Sequence, residues 1–264
     1  MIKLVASDMD GTLLDENGVI PPETFDLIRQ LNEKGVRFCA ASGRRYDTLL
    51  AQYAPVIGLV DFVASNGAQV VVQGKQVDLE VCSYLAVKRL YAAVQMFDNL
   101  HLALFDRVNS FLLDDESVFE REFDKNLPRP VRVFEVPDPE VSIIKASVFV
   151  DDASVMDMSY ALTRELGDEF VFAPSGAQWI DAMQRGVTKE TGIRQVMAVY
   201  DVQPDEVMAF GDSMNDYEIL RMVGTSLAMG NARDAIKQIS SRTIGTNAEQ
   251  SVQRELRRLL ESLD

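Results

Sequence analysis

Four short runs of this sequence end in residue types that can do chemistry together. Asp8-Met9-Asp10-Gly11-Thr12-Leu13-Leu14 closes an apolar run that begins at Ile2, and Ser42-Gly43-Arg44 closes another that begins at Val36. Ser65-Asn66-Gly67-Ala68 follows Phe62–Ala64, and Gly211-Asp212-Ser213-Met214-Asn215-Asp216 follows Val207–Phe210. Carboxylates, a hydroxyl, an arginine and glycines thus arrive at the ends of four apolar runs. A carboxylate attacks phosphorus when it is held in line and its charge is offset. Asp8 stands where a strand would fix it. Asp10, two residues on, projects alongside once the chain leaves the strand, close enough to handle a proton. Two acids in different environments can divide the nucleophile and acid–base roles. Asp212 adds a third carboxylate, and a hard oxygen cluster favours Mg²⁺, which would screen the carboxylates from an incoming phosphate. Ser42 and Lys189 can then hold phosphoryl oxygens, the lysine as a point charge.

These runs need elements that bring them to one place. Short apolar runs alternate with amphipathic segments, the pattern of parallel strands joined by helices. Ile2–Ser7, Val36–Ala41 and Phe62–Ala64 read as strands, with a helix over Pro22–Lys34 that stops at Gly35 and another over Thr48–Tyr53. The rhythm returns with a helix capped by Thr188, a strand over Val207–Phe210, a helix over Asp216–Met222, a strand over Thr225–Met229 and a helix over Ala232–Ile239. A terminal helix carries Val252, Leu256, Leu259 and Leu260 on one side. Between about Cys82 and Asp181, strands such as Leu102–Phe105 and Ser147–Val150 mix with helices such as Ala86–Phe97 and Ser154–Leu166. This stretch has no loop ending in paired catalytic-type residues. The expected fold is α/β: a Rossmann-like parallel sheet core, residues 1–81 and 182–264, with an inserted α/β domain at 82–181. In open parallel sheets ligands bind beyond the carboxyl ends of the strands, where the four runs lie.

Composition narrows the function. The chain has 264 residues, 47% of them hydrophobic, and a formal net charge of −15 from 41 acidic and 26 basic residues. Nucleic-acid binding relies on neutralising phosphates with Lys and Arg, so such a field excludes nucleic-acid and anionic-membrane partners. A small phosphate ester is compatible, because a bound cation and a few basic groups reverse the potential inside a cleft. Cys39 and Cys82 form no C-x-x-C or Cys/His cluster and read as buried free thiols in a reducing compartment. The first residues reach Asp8 too soon for a secretory apolar region, and no run approaches the ~18 apolar residues of a membrane span. The expected location is cytoplasmic; the residue pattern sets no oligomeric state.

Asp8-x-Asp10-Gly11-Thr12-Leu13-Leu14, Ser42-Gly43-Arg44, Gly186-Val187-Thr188-Lys189 and Gly211-Asp212-x-x-Asn215-Asp216 resemble, in order, the motifs of the haloacid dehalogenase superfamily. The long insertion between the second and third motifs resembles the Cof-type phosphatase branch, whose large α/β cap sits there. Ser65-Asn66-Gly67-Ala68 and Ala228-Met229-Gly230-Asn231-Ala232 are also similar to that branch. The resemblance spans about 1–81 and 182–264; the cap matches by position and size. It implies Asp8 as nucleophile and Asp10 as general acid for the leaving alcohol, then as base for the water that hydrolyses an aspartyl-phosphate. It implies Mg²⁺ held by Asp8, the Asp10 backbone carbonyl and Asp212. Ser42 with Gly43, Lys189 and Asn215 would contact the phosphoryl group, Asp216 would orient its neighbours, and Arg44 and Asn66 would face cap and substrate. Two positions depart from the family pattern: Glu190 follows the motif lysine where glycine is common, and Gln250-Ser251 replaces the usual Asp-Gly.

Each motif taken singly has a blander reading. A D-x-D-G is often a turn or a calcium-like loop, Asp212 a helix cap, Lys189 a solvated charge. Their order makes the functional case. His101 reads as structural, Trp179 as packing near the return to the core, and Asp114-Asp115-Glu116 as a solvated turn or helix start. The expected activity is phosphatase action on a small phosphate monoester, a sugar phosphate or similar metabolite. The alternatives are a phosphomutase or phosphotransferase using the same Asp8 and Asp10, a dehalogenase, against which Asp10 argues, and a non-catalytic phosphate-binding module.

Overall fold

The computed structural model describes residues 1–113, 130–151, 153–175 and 177–263, so the Asp114-Asp115-Glu116 run lies outside the described residues. The chain forms two compact units, Met1–Leu79 with Thr188–Asp264, and Glu80–Val187.

The first unit is built on a sheet whose central strand is β1 (Leu4–Ser7), buried at every position. A strand apolar towards both faces is what a parallel sheet covered on both sides requires. β1 pairs in parallel with β2 (Arg37–Ala41), and β2 with β3 (Val60–Ala64). The chain then turns back through β4 (Gln69–Val72) and β5 (Lys75–Leu79), which pair antiparallel. The hairpin between them was not legible as strands; it turns on Gln73 and Gly74, with φ of 51° and 71°, the left-handed pair of a tight two-residue turn. After the second unit the chain returns as β12 (Val207–Gly211), β13 (Thr225–Ala228) and β14 (Arg242–Thr243), all parallel, on the other side of β1. Among the described residues the order is β14-β13-β12-β1-β2-β3-β4-β5. The direction of strand addition reverses at β1, the kind of switch point where open α/β sheets leave a crevice.

Helices follow the amphipathic segments. Glu23–Glu33 buries Leu27, Ile28 and Leu31 and ends before Gly35, whose φ of 78° stops it. Ser251–Leu263 buries Val252, Leu256, Leu259 and Leu260. Lys189–Tyr200 begins on Thr188, whose hydroxyl accepts from Thr191 N–H while the Thr191 hydroxyl accepts from Thr188 N–H.

The second unit carries its own sheet: β6 (Leu100–Phe105), β7 (Ser110–Leu112), β8 (Pro130–Arg132), β9 (Lys145–Val150), β10 (Phe170–Pro174) and β11 (Trp179–Gln184), in the order β10-β11-β9-β6-β7-β8. All neighbours run antiparallel except β7 and β8. Helices Tyr84–Val94 and Val155–Leu166 bury Val87, Leu90 and Leu162 in one cluster with Leu102, Val148 and Ile180 of the sheet. The expected boundary at 182 falls inside β11, where Ala182 pairs with both Phe172 and Ala146. The return therefore comes at Thr188, because β11 completes an antiparallel pair with β10 before the chain leaves. Trp179 packs edge-on against Phe149 at 5.1 Å, and buried His101 lies 6.0 Å from the same ring, so both are packing residues of this unit. Cys39 and Cys82 are buried and unbridged, and no described helix is long and apolar enough to cross a membrane.

Candidate active site

The register of the first sheet determines which residues meet. Ser7 lies opposite Phe210 on one side and Ala40 on the other. The next residue, Asp8, therefore leaves the sheet beside Gly211-Asp212 and Ala41-Ser42. Ala41 pairs with Val63, which sets Ser42 beside the Ser65-Asn66-Gly67 turn. The loop after β1 closes tightly: Gly11 has φ of 77°, and a Cβ there would lie 2.7 Å from an Asp212 oxygen. Only glycine allows that approach. The Thr12 hydroxyl donates to Asp212 Oδ1 at 3.0 Å, tying the two loops together.

Lys189 joins them from the helix that starts after Thr188. It is 1% exposed, and its Nζ donates to Asp8 Oδ1 at 2.5 Å and Asp216 Oδ1 at 2.7 Å. Burial and the positive end of its own helix both disfavour this ammonium. Burial alone would push it down, but the Asp216 and Asp8 carboxylates outweigh it and hold Lys189 above its ordinary range. Burial pushes the Asp8 carboxyl well up; Lys189 opposes this, while Asp216 and Asp212 add to it. Asp212 is raised likewise, by burial and by Asp216, with the Thr12 hydroxyl opposing. Oxygens of Asp8, Asp212 and Asp216 lie within 4.8 Å of one another. Three carboxyl groups share one ammonium, an oxygen donor set that suits a divalent cation. Asp216 is already engaged: Oδ1 by Lys189, and Oδ2 by the N–H groups of Asp212 and Ser213 at 3.1 Å each. Asp8 and Asp212 are the members with capacity for a metal.

Asp10 stands apart from that cluster. Its carboxylate takes both arms of Arg44, Nε to Oδ2 at 2.8 Å and Nη2 to Oδ1 at 2.5 Å, while remaining 60% exposed. Arg44, expected to face outward towards substrate, is thus held on Asp10. Asn66, expected to do the same, is turned inward: it is 4% exposed, and its Oδ1 accepts from Asn215 Nδ2 at 3.0 Å. Ser42 is buried, and its Oγ accepts from Arg44 N–H at 3.1 Å, which shapes the Ser42-Gly43-Arg44 turn.

Two residues that the sequence reading gave no role complete the frame. Asn231 Nδ2 donates to the Gly11 carbonyl at 2.8 Å, and Asn247 Nδ2 donates to the Leu14 carbonyl at 2.9 Å. Asn247 N–H also donates to Asn231 Oδ1 at 3.3 Å. The loop that lacks the usual Asp-Gly pair still braces the first motif, with Gln250 taking a left-handed φ of 54°. The visible signal was an asparagine in each of the two glycine-containing turns after β13 and β14.

A parallel sheet with an acid cluster at its switch point and an inserted α/β unit defines a class of hydrolase. The sequence model of haloacid dehalogenase-like hydrolases matches residues 5–256, and the chain belongs to that family. It is 29% identical over 253 residues, covering 95% of this chain and 93% of the relative, to the 5-amino-6-(5-phospho-D-ribitylamino)uracil phosphatase YbjI of Escherichia coli. It is 28% identical over 273 residues to the phosphatase of the same name, YitU, of Bacillus subtilis, covering 96% of each chain. A solved structure from Streptococcus mutans superposes with a TM-score of 0.88 at 23% identity, covering 99% of this chain and all of that one, which shows the shared fold. With relatives that are phosphatases over nearly their whole length, this chain is an enzyme of the hydrolase class.

Proposed function

We propose that this protein is a Mg²⁺-dependent phosphatase that hydrolyses a small phosphate monoester, on a sugar, polyol or similar metabolite, through an aspartyl-phosphate on Asp8. The observation that carries the reading is Asp8 itself: a buried carboxylate at a strand end, touched by a buried lysine and crowded by two further acids. A purely structural site gains nothing from such crowding, since uncompensated buried charge is costly. A site that receives a divalent cation uses it, and the cation in turn offsets the charge of an incoming phosphate.

Asp8, Asp212 and the Asp10 backbone carbonyl would hold Mg²⁺, which when bound would offset carboxylate and phosphate charge and polarise a phosphoryl oxygen. Lys189, Ser42 with Gly43, and Asn215 would hold the phosphoryl oxygens, and Asp216 keeps Lys189 and the Asp212 loop in place. Asp8 Oδ attacks phosphorus while the bond to the leaving alkoxide breaks, and Asp10 delivers a proton to that oxygen. Water then attacks the same phosphorus, Asp10 takes its proton, and the bond to Asp8 breaks to release inorganic phosphate. For this, Asp10 exchanges Arg44 for the leaving oxygen, which its exposed position permits. Both curated relatives described above are named for a monoester on a ribityl chain, which supports a phosphorylated polyol or sugar as substrate class.

The test is phosphate release from p-nitrophenyl phosphate and a panel of sugar and polyol monophosphates, with and without Mg²⁺, for wild type and Asp8→Asn. Metal-dependent turnover lost in the variant is the expected result. A folded wild type that hydrolyses nothing on the panel would remove the hydrolytic reading.

A further inference from the structure

One costly feature of the first unit has no role in the chemistry above. Ser65, Asn66 and Gly67 are three successive residues with positive φ, at 49°, 55° and 107°. Left-handed backbone is unfavourable for residues with a Cβ and persists only where the surroundings enforce it. The Ser65 hydroxyl is also buried with no hydrogen-bond partner among the described residues. Local turn formation does not explain the expense.

The contacts of this turn do. Ser65 N–H donates to the Arg44 carbonyl at 2.8 Å, and Asn66 N–H donates to the Ser42 carbonyl at 2.9 Å. A Cβ on Gly43 would come within 3.2 Å of the Asn66 amide. The Asn66 side chain accepts from Asn215 Nδ2 at 3.0 Å. Gly67 lies so close to the helix start that a Cβ there would fall 2.1 Å from the Thr188 carbonyl oxygen, one residue before Lys189. The turn therefore touches three separate carriers of phosphoryl-binding groups: the Ser42 loop, the Asn215 loop and the Lys189 helix. A turn residue of no further consequence would leave its side chain in solvent, yet Asn66 is buried and spends its amide oxygen on another loop.

We propose that Asn66 is a positioning residue: it does not touch substrate but fastens Asn215 and the Ser42-Gly43-Arg44 turn so that their donors converge on one set of phosphoryl oxygens. Asn215 uses one amide hydrogen on Asn66, which orients the other. The inference rests on the phosphatase reading of the same site.

The experiment uses the full chain with Mg²⁺ and compares wild type, Asn66→Gly, Asn215→Ala and the double variant. It reads kcat and KM with p-nitrophenyl phosphate, binding of inorganic phosphate by calorimetry, and Tm. Glycine adopts φ near 55° without strain, so Asn66→Gly removes the side chain and keeps the turn. The expected result is a Tm within about 3 °C of wild type, phosphate binding weakened about 10-fold and kcat/KM lowered roughly 10- to 100-fold. Glycine keeps the backbone N–H that holds the Ser42 carbonyl, and the deleted side chain acts through Asn215, so the double variant should lose no more than about twofold beyond Asn215→Ala alone. Wild-type phosphate binding and turnover in Asn66→Gly would overturn the proposal, as would fully multiplicative losses in the double variant. Failure of Asn66→Gly to fold would also overturn it, by assigning the residue to stability. A wild type that neither binds nor hydrolyses phosphate would remove the phosphatase reading and this inference together; an active wild type with an unchanged Asn66→Gly would remove only the inference.

Discussion

Lys189 Nζ lies 2.5 Å from Asp8 Oδ1, two residues 181 positions apart in sequence, both out of solvent. The contact joins the end of β1 to the first turn of the helix after Thr188. In the proposed reaction the ammonium there would steady the carboxylate and meet a phosphoryl oxygen.

Lys189→Met keeps the stem volume and removes the charge. Activity should fall about 10²- to 10³-fold, the scale for loss of one electrostatic stabiliser in a dry site. Stability should fall too, by about 3–5 kcal/mol before relaxation, because two buried carboxylates lose their counter-charge. Urea titration separates this from the kinetic loss, and Mg²⁺ should restore part of the stability but not the activity. Unchanged kcat/KM would mean Lys189 is purely structural.

Asp10→Asn tests the proton donor through the leaving group. Alkyl monoesters need a proton on the departing oxygen and should lose about 10²- to 10⁴-fold in kcat. p-Nitrophenolate departs unaided, so the first step with that ester should fall much less, measured as a burst of nitrophenol. Equal losses for both leaving groups would argue against Asp10 as the acid.

Metal binding should register in stability as well as in rate. A cation that binds only the folded chain adds about 2.7 kcal/mol at 100 times its Kd, so Mg²⁺ should raise Tm by several degrees and EDTA reverse it. Asp212→Asn should abolish most of the Mg²⁺-induced shift. In EDTA it should be no less stable than wild type, because the crowded carboxylates then repel one another less. A Mg²⁺ shift retained in full by Asp212→Asn would exclude Asp212 as a ligand.

Tyr200 provides a pH prediction away from the site. Its hydroxyl donates to buried Asp61 at 2.9 Å, and burial, with the Asp61 carboxylate, pushes its pKa up to about 12. The folded state thus holds a proton that the unfolded chain releases near pH 10. The contribution is fully present below pH 10 and is lost as pH rises through about 12. Wild type should exceed Tyr200→Phe in stability at pH 8, and the gap should close as pH climbs from about 10. A gap constant up to pH 11.5 would remove this assignment.

Much of the site was legible without coordinates, because its chemistry sits at strand ends and strand ends show in one dimension. Leu4–Ala6 is apolar at consecutive positions and the run halts at Asp8, so both the strand and the placement of the acid follow from local pattern. Thr188 as a cap was legible for the same reason: a hydroxyl before a helical run binds its own first turn. Arg44 and Asn66 were not. Their types and positions mark them as belonging to the site, but whether a side chain points outward or grips a neighbouring loop depends on strand register, which no single run encodes. The β4–β5 hairpin and the extent of β11 escaped because each is decided by a pairing partner elsewhere in the chain.

The residue types and the apolar spacing pointed by themselves to a parallel α/β core with an insertion and a carboxylate nucleophile candidate, and the order of the motifs carried the family resemblance that implied a phosphatase. Only the tertiary structure decided the partners: Lys189 bridging Asp8 and Asp216, Asp10 locked to Arg44, Asn66 turned inward to Asn215. The physical reason is range. Hydrophobic periodicity and capping act over a few residues and are written locally. A salt bridge between positions 8 and 189 exists only once β1 has paired with β12 and the helix has closed over them, when burial makes the right contact strong and the wrong one costly.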